Sequence, residues 1–153
     1  MSALENKIPP PIVAALFGLL MWAGSHYVAS IDAALSVRVI AALLVLCAGV
    51  FFSLAGVVSF RRAKTTVNPL KPETASALVS SGIYLYSRNP MYVGFAMFLT
   101  AWACYLASAF LLLGVLGFVL YMNRFQIAPE ERALTALFGA DFLAYQAKVR
   151  RWL

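Results

Sequence analysis

The apolar residues of this chain are gathered into blocks that approach or exceed the length needed to cross a bilayer. A helix rises about 1.5 Å per residue, so about 20 apolar residues cross the hydrocarbon core. Only 12% of the 153 residues are charged, whereas a soluble domain carries roughly 25% charged residues. The pattern predicts one all-α integral membrane domain over residues 1–153, a helical bundle with a cytoplasmic C-terminal amphipathic segment. Its four transmembrane helices are expected at about 12–30, 33–60, 91–106 and 109–125.

The basic residues predict the orientation of these helices. Eleven of the twelve Lys and Arg residues lie in the N-terminal tail, in the Arg61–Arg88 segment, or from Arg124 onward, and Arg38 is the exception. Basic residues concentrate on the cytoplasmic side of membrane proteins. Four crossings would place both termini, the central loop and the last segment on that side. The net charge of +6 is therefore interpreted as topology, and no nucleic acid partner is expected.

The isolated polar residues of the apolar blocks are assigned structural roles. Arg38 lies near the outer end of the second block, where it can snorkel or pair with Asp32. Cys47 and Cys104 have no partner at short spacing, so neither a disulfide nor a metal motif is indicated. The only histidine, His26, is expected at the far interface, which disfavours a histidine-based mechanism. No metal is expected.

Two polar segments flank the last two apolar blocks. Residues 80–94 (SSGIYLYSRNPMYVG) carry three tyrosines, an arginine and an amide, and residues 124–132 (RFQIAPEER) carry two arginines and two carboxylates. A helical hairpin between them would make the segments neighbours at the cytoplasmic interface. Aromatic faces attract cations, and arginine suits a carboxylate or phosphate. A structural interpretation also stands, because Glu130 and Glu131 complement a helix dipole. Residue chemistry alone leaves the ligand open.

The connecting loop and the tail have recognisable local signals. Residues 65–81 predict a loop with one short helix after Pro72, and a loop of this length is often functional. Pro129 and the two glutamates predict a helix start, Gly139 predicts its end, and Asp141 begins a second amphipathic helix. The final residues are expected to form an interfacial anchor: Lys148, Arg150, Arg151 and Trp152.

Scattered motifs, in order and over about residues 65–152, carry a family resemblance. The chain resembles the isoprenylcysteine carboxyl methyltransferase family, here a bacterial integral-membrane member, and is more distantly similar to phospholipid N-methyltransferases. The motifs are Gly82-Ile83-Tyr84, Arg88-Asn89-Pro90-Met91-Tyr92-Val93-Gly94, Glu130-Glu131, Leu134, Phe138-Gly139, and Phe142 with Tyr145.

The resemblance implies an enzyme that binds S-adenosylmethionine at the cytoplasmic face of a bacterial inner membrane. It implies methyl transfer to a lipophilic or small acceptor, such as an isoprenylcysteine-like carboxylate, that reaches the site from the membrane lipid. The cofactor region is expected over residues 65–94 and 124–153. The implied cofactor-binding residues are Leu78, Val79, Tyr84, Asn89, Pro90, Met91, Tyr92, Glu130 and Glu131.

The resemblance also assigns the reacting groups. Asn89 and Arg124 are the implied catalytic residues, and Arg88 and Arg124 the implied contacts to the acceptor. Asn89 stands where the family usually has histidine, and Gln126 stands near the usual place of the family's arginine, so Arg124 is its assigned substitute. Methyl transfer to an anion is an in-line displacement that neutralises charge, and orientation supplies most of its acceleration.

Two other functions are compatible with the sequence. A membrane reductase of the steroid 5α-reductase type would bind NADPH, but its cofactor phosphate calls for more basic residues beside Glu130 and Glu131. A non-enzymatic scaffold or transporter subunit predicts a polar residue deep within a span, and Arg38 lies near an end. The acceptor stays open among an isoprenylcysteine-like carboxylate, a lipid, a quinone-like molecule and a small thiol.

Overall fold

The chain is described by a computed structural model over residues 5–64 and 74–153. All regular structure in these two ranges is helical, so the all-α prediction is confirmed. The five helices are α1 (Pro10–Ser25), α2 (Leu35–Arg62), α3 (Pro90–Leu106), α4 (Leu112–Met122) and α5 (Ala128–Lys148). Short 3₁₀ turns cover Gly82–Leu85 and Ala109–Leu111, and a π-helical turn covers Asn123–Ile127. The short helix predicted after Pro72 falls largely outside the described residues.

Two of the described helices have the length and apolar composition to cross a membrane. They are α2 and the continuous helical run Ala109–Lys148, whose apolar residues are concentrated in its first half. Helices α1 and α3 are also apolar but shorter, at 16 and 17 residues. By length and composition, these helices indicate a membrane-associated helical protein.

The first helix is shorter than its apolar block suggests. Our prediction extends it to residue 30, but α1 ends at Ser25, whose hydroxyl donates to the Trp22 carbonyl at 2.6 Å. The chain beyond it is tied to the α3–α4 corner: Ser108 Oγ donates to the Ala29 carbonyl at 2.7 Å, and the Ile31 N–H donates to the Ala107 carbonyl. Tertiary hydrogen bonds therefore replace the last helical turn.

Arg38 has a different partner from the one expected. Its Nε donates to the Tyr105 carbonyl at 2.8 Å, and its guanidinium lies 5.6 Å from the centre of the Tyr105 ring. The charge near the start of α2 is thus satisfied by α3, and the predicted pairing with Asp32 is replaced by this contact.

Glycines let α2 and α3 approach closely. A Cβ atom on Gly94 would lie 2.7 Å from the Gly49 carbonyl oxygen and would also clash with Ser53 Oγ. A Cβ on Gly56 would lie 2.7 Å from Met91 Cγ. These contacts fix the beginning of α3, which carries the polar motif, against the C-terminal half of α2.

The other side of α3 packs on α1 and α4 around a core that includes the fully buried Phe118 and Met122. The α3–α4 corner turns at Ala107, which adopts a left-handed φ of 53°. This hairpin returns the chain so that α5 begins beside the first turn of α3.

Gly139, predicted to end the first helix of the tail, does interrupt the helical run. Its φ of 51° and ψ of −122° are non-helical, so α5 consists of two helical segments joined by a kink, as expected for a second helix beginning near Asp141. After the kink, Phe142, Tyr145 and Val149 pack against Val79 and Tyr84 in a second buried cluster. Two of the residues expected to form the interfacial anchor bond to the protein: Arg151 donates to Glu131 and Trp152 donates to Asn123.

Candidate functional site

A cavity of about 310 Å³ lies where the two predicted polar segments meet. This volume is near the lower end of the roughly 300–1,000 Å³ typical of small-molecule sites. Its walls come from the first turns of α1 and α3, the end of α2, residues 75–84 and α5. The lining residues are Pro10, Pro11, Phe60, Ala75, Ala77, Leu78, Val79, Tyr84, Arg88, Asn89, Met91, Tyr92, Phe95, Glu130, Glu131, Leu134, Phe142 and Tyr145.

The cavity collects most of the residues that the resemblance assigned to cofactor binding. Eight of the nine line it, and the exception is Pro90. Pro90 is fully buried at the first position of α3, packed towards Gly56 of α2. Proline suits this position because its missing N–H has no partner in a first helical turn. Pro90 therefore shapes the cavity from behind, while the binding roles of the other eight stay predictions.

A bond between the two walls joins α3 to α5 inside the cavity. The Tyr92 hydroxyl donates to Glu130 Oε1 at 2.5 Å, and Gln126 Nε2 donates to the same oxygen at 2.8 Å. No hydrogen bond ends on Glu130 Oε2 among the residues described. One carboxylate oxygen is thus fixed by protein donors and the other is left for a ligand.

Helix α5 follows the polar turn Asn123–Ile127 and lies beyond the apolar part of its helical run. The pKa of Glu130 is raised to about 7, chiefly by burial and to a smaller extent by the nearby Glu131 charge, while the hydrogen bonds from Gln126 and Tyr92 act to lower it. The Glu130 carboxyl can therefore change its charge near neutral pH.

An ion cluster forms the polar edge of the cavity. Arg88 Nη2 lies 2.8 Å from Glu131 Oε1, and Arg151 Nη2 lies 2.5 Å from Glu131 Oε2. The side chains of Arg88 and Glu131 are only 13% and 15% exposed. Glu131 lines the cavity with its two oxygens paired to two arginines, so it also orders this edge, and its predicted role in cofactor binding stays a prediction.

The aromatic floor of the cavity is cross-linked by a tyrosine. Tyr145 of α5 donates its hydroxyl to the Tyr84 carbonyl at 2.7 Å, and the Phe60 ring packs edge-on against Tyr84. Burial raises the pKa of Tyr84 and of Tyr145, so both hydroxyls stay protonated. Gly82 begins this turn with a φ of +62°, which favours glycine.

Arg124, predicted to be catalytic and to meet the acceptor, lies outside the cavity lining. Its side chain is 57% exposed, and Nη1 pairs with Glu5 Oε1 at 3.0 Å. Arg132 pairs with the other Glu5 oxygen at 2.6 Å. Arg124 therefore contacts the N-terminal segment. This placement does not fit the catalytic and acceptor-binding roles that were assigned to Arg124 by analogy with the family's arginine.

Several lining residues were not predicted from the sequence. Pro10, Pro11, Phe60 and Phe95 come from the ends of apolar blocks and look like ordinary helix residues in the sequence. The Pro9-Pro10-Pro11 run signals only a helix start. No local sequence pattern links these prolines to the polar motif some eighty residues later. Their place in the cavity wall follows from tertiary packing, which the sequence does not show.

Comparisons with known proteins bear on the kind of site. Residues 37–141, more than half of the chain, match the family model described as phospholipid methyltransferase. An uncharacterized protein from Haemophilus influenzae is 44% identical over 63 residues, which cover 41% of this chain and 100% of that protein. Protein-S-isoprenylcysteine O-methyltransferase from Saccharomyces cerevisiae is 34% identical over 85 residues, which cover 52% of this chain and 33% of that protein. No solved structure gives a significant match.

Proposed function

Because the chain belongs to the phospholipid methyltransferase family, we propose that it is a membrane methyltransferase that binds S-adenosylmethionine in the cavity. The acceptor is a lipophilic or small molecule, with an isoprenylcysteine-like carboxylate as the first candidate. The observation that carries the proposal is the contact of Tyr92 with Glu130 inside the cavity, where an aromatic wall meets an acidic one.

The residues of the cavity suit the parts of this cofactor. Glu130 Oε2 can accept a hydrogen bond from a hydroxyl or ammonium group. The faces of Tyr84, Tyr92 and Phe142 suit an adenine ring or a cationic centre. Bound S-adenosylmethionine supplies an activated methyl group on a positively charged sulfur.

The protein's part in the reaction is orientation and exclusion of water. The lining is mainly apolar and aromatic, so it can hold a lipophilic acceptor in line with the methyl group while keeping water out. An anionic carboxylate acceptor needs no base. The tyrosine hydroxyls of the floor stay protonated, which is compatible with such an acceptor.

We further propose that the helices cross the membrane four times, as α1, α2, α3 and α4. The cavity then lies at one interface together with both termini. The concentration of Lys and Arg near this end supports a cytoplasmic site in a bacterial inner membrane. The short α1 and α3 reach the interfaces if the bilayer thins or if flanking polar segments lie at its surface.

Calorimetric titration of the purified protein tests the cofactor. We expect S-adenosylmethionine and its demethylated product to bind with one site per chain, and NADPH not to bind. Binding of NADPH alone would support the reductase alternative, and binding of none of the three would contradict the proposed cofactor.

A further inference from the structure

The last residues of the chain form a clasp on the cavity, here called the C-terminal clasp and defined as residues 149–152. Three consecutive carbonyls in it accept hydrogen bonds from two residues of the polar motif. Arg88 Nη1 donates to the Val149 carbonyl at 2.8 Å, and the Arg88 N–H donates to the Arg150 carbonyl at 2.9 Å. Asn89 Nδ2 donates to the Arg151 carbonyl at 2.9 Å.

The clasp is attached to the rest of the site through two side chains. Arg151 binds Glu131 with both of its donor positions, Nε to Oε1 at 3.1 Å and Nη2 to Oε2 at 2.5 Å. The indole N–H of Trp152 donates to Asn123 Oδ1 at 3.0 Å, in the π-helical turn before α5. The forked guanidinium fits a carboxylate in this two-bond manner, and lysine cannot reproduce it.

The hydrogen bond to the clasp also determines which atom of the Asn89 side-chain amide is available to a ligand. A carbonyl oxygen can only accept, so the bond to Arg151 must come from the amide nitrogen of Asn89. The amide oxygen of Asn89 is then the atom left without a protein partner among the described residues. Asn89 lines the cavity, so a ligand there meets a hydrogen-bond acceptor at this position.

We propose that Arg151 is a positioning residue of the cavity. By binding Glu131, the Arg151 side chain holds the clasp in place, and the clasp carbonyls then keep Arg88 and Asn89 in the orientation that the ligand requires. It acts through these residues and does not itself line the cavity. The effect on ligand binding rests on the proposed function, while the mechanical part of the proposal does not.

Global stability should depend little on this ion pair. The Arg151 side chain is 37% exposed, and the less exposed Glu131, at 15%, keeps Arg88 as a cationic partner when the Arg151 guanidinium is removed. Removing the guanidinium should therefore loosen the clasp without unfolding the protein. A positioning role predicts a local change at the site and weaker ligand binding, whereas a purely structural role predicts a loss of global stability.

The test compares Arg151→Gln with Arg150→Gln in the full-length protein. The control removes the same charge one residue earlier, where the side chain is exposed and only the backbone carbonyl is used. Hydrogen–deuterium exchange over residues 86–92 is measured without ligand, and S-adenosylmethionine affinity is measured by calorimetry. Arg151→Lys serves as the conservative variant.

For Arg151→Gln we expect hydrogen–deuterium exchange in residues 86–92 to be about tenfold faster. We expect the affinity for S-adenosylmethionine to be about tenfold lower, because a residue that orients a binding residue is lost. Arg150→Gln should match wild type in both, and Arg151→Lys should fall between. Exchange unchanged in Arg151→Gln, or faster exchange with unchanged affinity, would overturn the positioning role. If wild type fails to bind S-adenosylmethionine, the proposed function fails, and the exchange result still decides whether Arg151 holds the clasp.

Discussion

At the scale of single residues, the site depends on how Glu130 is held. Its Oε1 accepts from Tyr92 and Gln126, and its Oε2 has no hydrogen bond among the described residues. The carboxyl has two states near neutral pH because burial raises its pKa to about 7. Both properties lead to measurable effects.

Replacing Tyr92 with Phe keeps the ring and removes the donor to Glu130. The buried carboxylate then loses a charge-assisted hydrogen bond, so its neutral form is favoured and an ammonium or hydroxyl donor binds less well. Affinity for S-adenosylmethionine measured by calorimetry at pH 7 should fall about tenfold. Tyr86→Phe is the matched control, because Tyr86 is 71% exposed. Equal affinities in the two variants would contradict the assignment of the Tyr92–Glu130 pair to the site.

The raised pKa of Glu130 also predicts a pH dependence of stability. Between its ordinary value of 4.5 and about 7, the folded protein holds this proton and the unfolded chain releases it. The free energy of unfolding should therefore decrease as pH rises through this window and level off above it. Glu130→Gln should lack this component when thermal unfolding in detergent is followed from pH 4.5 to 8. Identical pH profiles for wild type and Glu130→Gln would show that the carboxyl titrates normally.

At the scale of helices, the site exists because α3 is pressed against α2. A Cβ at Gly94 would meet a backbone oxygen of Gly49 at 2.7 Å, and backbone cannot rotate away as a side chain can. Gly94→Ala should destabilise the protein by about 1–3 kcal/mol through overpacking. Gly18→Ala is the control, since the new methyl would lie 3.7 Å from Leu99 Cδ2, an ordinary contact. Thermal unfolding in detergent measures both variants, and an unchanged midpoint for Gly94→Ala would contradict the close packing.

The helices also show what the sequence could and could not predict. Apolar blocks separated by polar turns predicted α2 and α3 closely, because hydrophobicity and helix-start residues are local signals. The end of α1 was misplaced, because Ser108 and the Ala107 carbonyl bind the following loop from a distant corner. The basic, aromatic C-terminus resembled a membrane anchor, but Glu131 and Asn123 supply protein partners for Arg151 and Trp152.

The sequence predicted the candidate site in part, because the two polar segments lie at the two ends of the predicted helical hairpin. The two polar segments were expected to be neighbours, and Tyr92 of the first donates a hydrogen bond to Glu130 of the second. The family resemblance is confirmed by the match over residues 37–141. Arg124 was assigned to the site as a substitute for the family's arginine. Its side chain instead pairs with Glu5, a residue that belongs to none of the motifs, so the sequence did not predict this placement.

At the scale of the whole molecule, the proposed four crossings predict two surfaces on opposite sides of the membrane. Tyr27, in the loop after α1, is 89% exposed, and Leu153 at the C-terminus is 55% exposed. In a background with Cys47 and Cys104 replaced by Ala, a cysteine at 27 should react with a membrane-impermeant maleimide from the outside of intact cells. A cysteine at 153 should react only after permeabilisation. The same accessibility at both positions would contradict four crossings.

The measurement that tests the central claim most directly is transfer of labelled methyl from S-adenosylmethionine into a total membrane extract by the purified protein. The account predicts label in an extractable lipophilic product with wild type, and loss of most of that label with Glu130→Ala. An absence of labelled product with folded wild-type protein, or equal labelling by Glu130→Ala, would contradict it.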